Sequence, residues 1–348
     1  CWGRACVIMC AKKDTADRRF ISSGYRKRDN SAVGLGKLYG GVDMAVFQLG
    51  TVIKNRREEL GITQEDLADG ICSVPTLSRI ENGERMPTKD HFEMFMQRLG
   101  YSAMSLDFFT DKQDFQTYEL KFKVRQEFVS GNYALAGEHM RELESALKAP
   151  TKIDRQFILL HDALINKSKY TNGERLEQLE AAIQLTCPKF KSGVIPKVLS
   201  YDEIILLNNI AICNHAQGNT AQAIEILTAL KEYFDHHVIS VEEALRTQPM
   251  ILYNLSKYLG LSGRYDECIE ICDLGIRIAR MTGRCPLLGE TLFNRAWALL
   301  QRNRAEDREV AKRALKDAIY FSCAIDNQKI LKTMQDFYKE SFGESISV

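Results

Sequence analysis

The residues able to do recognition chemistry fall in two places. Between positions 63 and 83, TQEDLADGICSVPTLSRIENG, Leu77 and Ile80 lie at helical spacing, so Pro75, Thr76, Arg79 and Asn82 face the other way. One guanidinium among small polar groups, on a helix held by its apolar side, suits a DNA major groove, where arginine bonds guanine through two prongs. Further on, Asn209, Asn254 and Asn294 each stand nine residues before a turn. Catalytic chemistry has no such pattern. The ten cysteines form no C-x-x-C, and none has a histidine at ligand spacing. Cys268 and Cys272, one helical turn apart, read as small reduced core residues, and the His236–His237 pair as a favourable charge at a helix carboxyl end. GLGKLYGG at 34–41 has Tyr39 where a nucleotide-binding glycine belongs, and no strand precedes it. With no nucleophile elbow, P-loop or paired-histidine metal helix, the sequence predicts no enzyme, no metal and no cofactor.

Short helices must position Arg79. Thr63 caps a first one with Asp66 three residues on, and Leu67, Ala68 and Ile71 form its apolar stripe. Gly70 ends it; Ser73 caps a second, where Pro75 is tolerated in the first turn. Upstream, LGTVIKNRREELGITQ puts Leu49, Ile53 and Leu60 on one side. Downstream, Pro87 and a Thr88 cap lead into a helix with Phe92, Phe95, Met96 and Leu99. Residues 49–102 closely resemble the Cro/cI-type helix-turn-helix domain, a bundle of five short helices, on Gln64, the Ser78–Gly83 run S-R-I-E-x-G, and Arg57 with Glu81. The resemblance implies that Arg57 pairs with Glu81 and that Gln64 touches a phosphate. It implies a DNA-contacting set of Gln64, Val74, Pro75, Thr76, Ser78, Arg79, Asn82, Arg85 and Lys89. Residues 44–110 hold seven Lys or Arg against ten Asp or Glu, so affinity must come from a few aimed groups, from helix amino termini and from dimerisation.

A chain of 348 residues, 45% hydrophobic and 27% charged, has the length of about two domains and an ordinary globular composition. No apolar run reaches transmembrane length and no signal peptide is present, which predicts a cytoplasmic protein without membrane partners. Residues 1–43 lack helical periodicity and carry nine basic against four acidic residues. They read as a disordered basic arm or as a segment upstream of a start at Met44. A helix-turn-helix domain over 44–110 and a sensor and dimerisation domain over 111–348 complete the division.

From Phe115 onward only helix patterns follow, punctuated by turns at 131, 173, 218, 263 and 303. A period of this size means stacked helix pairs, because one pair alone cannot bury its apolar face. Ala136, Ala223 and Cys268, each five residues after a turn, are small, as close packing requires. The region resembles tetratricopeptide repeats, five pairs over 115–322 with a capping helix over 325–341, so the whole is predicted all-α: a DNA-binding bundle followed by an α-solenoid. In that family the aligned asparagines face the concave groove and grip an extended peptide.

Together the halves resemble the peptide-pheromone-responsive transcription factors of Gram-positive bacteria of the PlcR and Rgg type. The resemblance implies a homodimeric, sequence-specific regulator binding double-stranded DNA and a short peptide. The groove residues in register are Lys121, Arg125, Lys167, Asn208, Asn209, His215, Tyr253, Asn254, Lys257, Asn294 and Trp297, with Phe293 beside Trp297 as an apolar seat. Four are cations facing one acid, Glu290, which predicts a peptide with an acidic residue or free carboxylate toward the amino-terminal repeats. The same halves also read as a repeat scaffold holding another protein beside a vestigial helix-turn-helix; retained protein partners without DNA binding would mark that case.

Overall fold

Side-chain caps set the starts of the first helices. The computed structural model describes residues 42–100, 112–192, 195–237 and 241–346. It begins with α1 (Val42–Glu59). Helix α2 (Gln64–Ala68) starts where Thr63 Oγ1 accepts the Asp66 amide at 3.0 Å, and α3 (Val74–Glu81) where Ser73 Oγ accepts that of Thr76 at 3.4 Å. Helix α4 (Lys89–Arg98) starts where Thr88 Oγ1 accepts from His91 at 3.2 Å. Each cap satisfies an amide that has no partner inside its helix. Ile53, Leu67, Leu77, Ile80, Phe95 and Leu99 then close a core of their own with no exposed surface. The fifth helix expected of the bundle and residues 1–41 of the expected arm lie outside the described residues.

Five antiparallel helix pairs follow: α5 (Lys112–Val129) with α6 (Tyr133–Ala146), α7 (Lys152–Ile165) with α8 (Asn172–Gln184), and α9 (Tyr201–Ala216) with α10 (Thr220–His236). Then come α11 (Val241–Leu261) with α12 (Tyr265–Thr282) and α13 (Leu288–Arg302) with α14 (Asp307–Ala324), and α15 (Gln328–Phe342) covers the end. Among the described residues there is no strand, and no helix is long and apolar enough to cross a membrane. One apolar core runs unbroken from α7 to α15, as expected where each pair buries its face on the next. Ala136, Ala223 and Cys268 are buried at the helix crossings, and Cys272 with them.

Four of the five turns sit where the spacing puts them, with Gly131, Gly218, Gly263 and Asn303 all in the left-handed region that ends a helix. The second does not. Gly173 lies inside the first turn of α8, because Thr171 and Glu174 form a reciprocal capping box that starts the helix at Asn172 and moves the turn upstream. Of the His236–His237 pair, His236 lies in the last turn of its helix, as expected, whereas His237 stacks on Tyr233 at 4.3 Å and burial holds its pKa below the ordinary value, which works against a charge on it.

The bundle is docked on the stack through charge. Arg98, at the end of α4, gives Nη1 to the carbonyls of Leu67 and Asp69 at 3.1 and 2.7 Å, and Nη2 to Glu203 of α9 at 2.9 Å and to the Thr186 carbonyl at 3.3 Å. Both side chains are buried, at 1% and 0% exposure. Burial alone would push the Glu203 carboxyl up, but Arg98, the Ser200 amide at 2.6 Å and the Thr186 hydroxyl at 2.6 Å together hold it below the usual range. Lys197 to Asp66 at 3.1 Å and Lys189 to Asp69 at 3.5 Å rim the contact.

Candidate functional site

Helix α3 presents the face that its apolar spacing requires. Leu77 and Ile80 are fully buried, Pro75, Arg79 and Asn82 are exposed, and Val74, Thr76 and Ser78 are half-buried at the margin. Arg79 makes no side-chain bond among the described residues, and Arg85, just past the helix, is exposed as well. Behind this face Glu81 is clamped by Arg57 through two bonds, Nε to Oε1 at 2.6 Å and Nη2 to Oε2 at 2.9 Å. Gln64 donates its amide to the same Glu81 at 2.7 Å, so α1, α2 and α3 are tied at one carboxylate. The bonds to the stack come from α2, the turn after it and α4, and among the described residues none comes from α3. Lys89 is placed apart from the other DNA-facing candidates: it lies over the Tyr118 ring of α5 at 5.6 Å and lines the cavity between bundle and stack.

The groove candidates separate into three groups. Lys121 and Arg125 line that same cavity, while Lys167 sits over Tyr133 at 5.4 Å on the adjoining pair. Asn208, Asn209, His215, Tyr253, Asn254, Lys257, Asn294 and Trp297 run along α9, α11 and α13. Two of the four expected cations carry counter-charges from other elements: Asp154 holds Lys121 at 2.6 Å and Asp202 holds Arg125 at 2.7 Å. Glu290, the single acid in register, is buried and accepts from Asn327 of the last helix boundary at 3.1 Å.

The asparagines are buried, and their amides are given to the stack itself. Asn254 donates to Asn208 at 2.9 Å, Asn294 to the Ser256 hydroxyl at 3.1 Å, and Asn209 to the Ile205 carbonyl of its own helix at 2.8 Å. Asn208 approaches the Met250 sulfur at 3.5 Å. His215 stacks on Tyr258 at 4.2 Å, and burial together with nearby Lys257 lowers its pKa. Phe293 is buried edge-on to Phe337 of α15 at 5.4 Å, so it packs the end of the stack rather than lining an open seat. Trp297 is half-buried over Gly260, where an added Cβ would come within 2.8 Å of the indole. Tyr253, Lys257, His215 and Trp297 thus keep partial exposure around a buried amide seam.

Residues 53–104 match the family described as helix-turn-helix, and the chain carries a domain of the Cro/cI type there. No curated protein matches. Among solved structures the chain is similar to Bacillus thuringiensis PlcR in complex with the peptide PapR7 and DNA, at 18% identity and a TM-score of 0.50, over 86% of this chain and 100% of that one. The apo form of that PlcR gives 18% identity and a TM-score of 0.50, over 83% and 98% of the two chains. ComR from S. thermophilus, in complex with DNA and its signalling peptide ComS, gives 15% and 0.44, over 84% and 99%. At this identity the PlcR likeness is one of fold: a helix-turn-helix unit followed by a helical repeat.

Proposed function

We propose that this protein is a sequence-specific DNA-binding regulator that acts as a homodimer and whose helical stack takes a short peptide. The observation that carries the reading is the free guanidinium of Arg79 on the exposed face of α3, a helix pinned from behind by its core and by the Arg57–Glu81–Gln64 cluster. A rigidly held helix with one aimed arginine reads a base by direct hydrogen bonding. Arg85 and the helix amino termini supply phosphate contacts in a domain of acidic balance. PlcR, of the same fold, was crystallised with a peptide and DNA together, which supports both ligands here.

Peptide recognition is assigned to α9, α11 and α13. A main chain laid along them takes over the Asn254 amide now given to Asn208 and packs on Tyr253 and Trp297, with Lys257 at its side. The exchange replaces one buried hydrogen bond with another, so its net cost is small, whereas deleting the side chain leaves a buried group unpaired.

Two titrations of the full chain test the proposal. Footprinting with wild type and Arg79→Ala is expected to show a loss of about 1 to 3 kcal/mol and relaxed preference at one base; unchanged affinity and preference would mean that α3 does not read the DNA. Fluorescence polarisation of candidate peptides is expected to weaken roughly 5- to 150-fold for Asn254→Ala. Equal affinity in wild type, Asn209→Ala, Asn254→Ala and Asn294→Ala would remove the seam as the peptide grip.

A further inference from the structure

Most of the large apolar side chains exposed among the described residues gather at the two ends of the stack. At the start, Val129 closes α5 at 82% exposure, with Phe122 two turns before it and Leu135 just past the turn, on α6. Near the far end, Met281 at 85% exposure and Val310 stand on α12 and α14. Apolar side chains exposed in groups, unlike those scattered singly, mark contact surfaces. The two ends also differ in charge. Between α12 and α14 runs a groove of about 310 Å³, to which α12 gives Ile276, Arg277 and Arg280 and α14 gives Val310, Arg313 and Ala314. Ile276 and Ala314 are buried as its floor, and the three arginines are exposed at its rim. Arg295, from α13, is neutralised by Asp273 at 2.6 Å. Arg277, Arg280 and Arg313 make no side-chain bond among the described residues, and Asp317 is the single acid left against them. On α6 the signs reverse: Glu138, Glu142 and Glu144 are exposed against one arginine, Arg141. Glu138 makes no side-chain bond among the described residues, and Glu142 meets His139 at a long 3.5 Å.

A groove with an apolar floor and a cationic rim suits an amphipathic helix that carries acids along its contact edge. Leu135, Glu138 and Glu142 share one face of α6, at i, i+3 and i+7, and give a second copy of this chain such a helix. When a two-fold axis relates the copies, each brings its own groove to the other's α6. We propose that the groove between α12 and α14 and the outer face of α6 are the two halves of the homodimer interface, with the stacks antiparallel. Glu138 and Glu142 of one copy then meet Arg277 and Arg280 of the other, and the same contact occurs twice. The assignment rests on the homodimer reading above and names the surface that reading needs. Neither half includes α3 or the amide seam, so the DNA face and the peptide groove stay open in the pair. The charges fix register and choice of partner, and the exposed apolar side chains at each end bury surface around them.

The test is sedimentation equilibrium of the full chain with two double variants, Arg277→Glu with Arg280→Glu, and Glu138→Arg with Glu142→Arg. All four side chains are exposed and hold no short bond, so both variants are expected to melt like wild type. Alone, each sets like charges against one another at both contacts and is expected to weaken dimerisation roughly a hundredfold. Mixed one to one, the two variants restore opposite charges at both contacts, and a mixed dimer of near wild-type affinity is expected. Arg313→Glu, on the facing wall of the groove, is expected to weaken the dimer in the same direction, so the outcome does not hang on the folding of one variant. A mixture that stays monomeric overturns the antiparallel pairing. Variants that dimerise as strongly as wild type overturn it too and leave both surfaces to another occupant, while the homodimer itself stands. A wild type that is monomeric at every concentration removes the homodimer reading, and this interface with it.

Discussion

Glu81 and His161 show how single buried groups set the behaviour of their surroundings. Glu81 receives three donors, two from Arg57 and one from Gln64, so Glu81→Gln leaves the Arg57 guanidinium short of charge in a half-dry site. A loss of about 3 kcal/mol in urea unfolding of the bundle is expected, while a loss under about 0.5 kcal/mol would make the cluster decorative. His161 is buried against Phe157 at 3.9 Å, its Nδ1 2.9 Å from the Phe157 carbonyl, and burial lowers its pKa from 6.5 to about 4. A base with a depressed folded pKa is neutral in the fold and charged in the unfolded chain at mild acidity. Its share of stability is therefore present above pH 6.5 and is lost as pH falls toward 4, by about 3 kcal/mol over that window. His161→Gln should flatten the difference curve between pH 6.5 and 4, and an identical slope in both proteins would show that His161 is not the group titrating. The caps Thr63, Ser73 and Thr88 were legible in the sequence because a cap lies within four residues of what it bonds, whereas the Arg57–Glu81 pair, 24 residues apart, was implied only by the helix-turn-helix resemblance. The counter-ions Asp154 and Asp202 were not legible, because each lies on a different helix from the cation it holds.

Among the elements, turns and close approaches decide the fold more than helix propensity does. Gly70 has φ +72 and packs its backbone on the stack, where an added Cβ would fall 1.6 Å from the Thr186 carbonyl oxygen. Gly61 has a similar φ of +65 with nothing nearby. Gly70→Ala is therefore expected to cost about 2 to 4 kcal/mol, from strained backbone and overlap together, against about 1 kcal/mol for Gly61→Ala from the backbone alone. Equal losses in chemical denaturation would contradict the close docking of that turn. The repeat register was readable because glycine or asparagine ends most of the first helices in a left-handed residue. At 171–174 a capping box overrode the N-G signal, since two reciprocal bonds fix a helix start more firmly than a permissive residue fixes a turn. Spacing also placed Asn209, Asn254 and Asn294 in register, but a period of 3.6 does not distinguish a side chain facing the groove from one packed against the next helix, and the structure has them packed.

At the scale of the whole molecule the bundle and the stack are joined by the Arg98–Glu203 pair, residues 105 apart in sequence and without any local pattern to announce them. Arg98→Met leaves a buried carboxylate without its cation and is expected to cost about 3 to 5 kcal/mol, with much of that recovered in Arg98→Met combined with Glu203→Gln. No recovery in the double variant would show that Arg98 acts through its carbonyl bonds instead. Because the docking bonds leave α3 uncommitted, two copies can each present Arg79 to the same face of a duplex, and a homodimer then requires a two-fold site. Selection of duplexes from a random pool by the full chain tests this most directly. The account predicts an enriched motif of two inverted half-sites about 10 base pairs apart, centre to centre, or a multiple of that, with the most constrained base a guanine whose preference is lost in Arg79→Ala. A pool that stays random after repeated rounds, or a motif that Arg79→Ala enriches equally well, would contradict it.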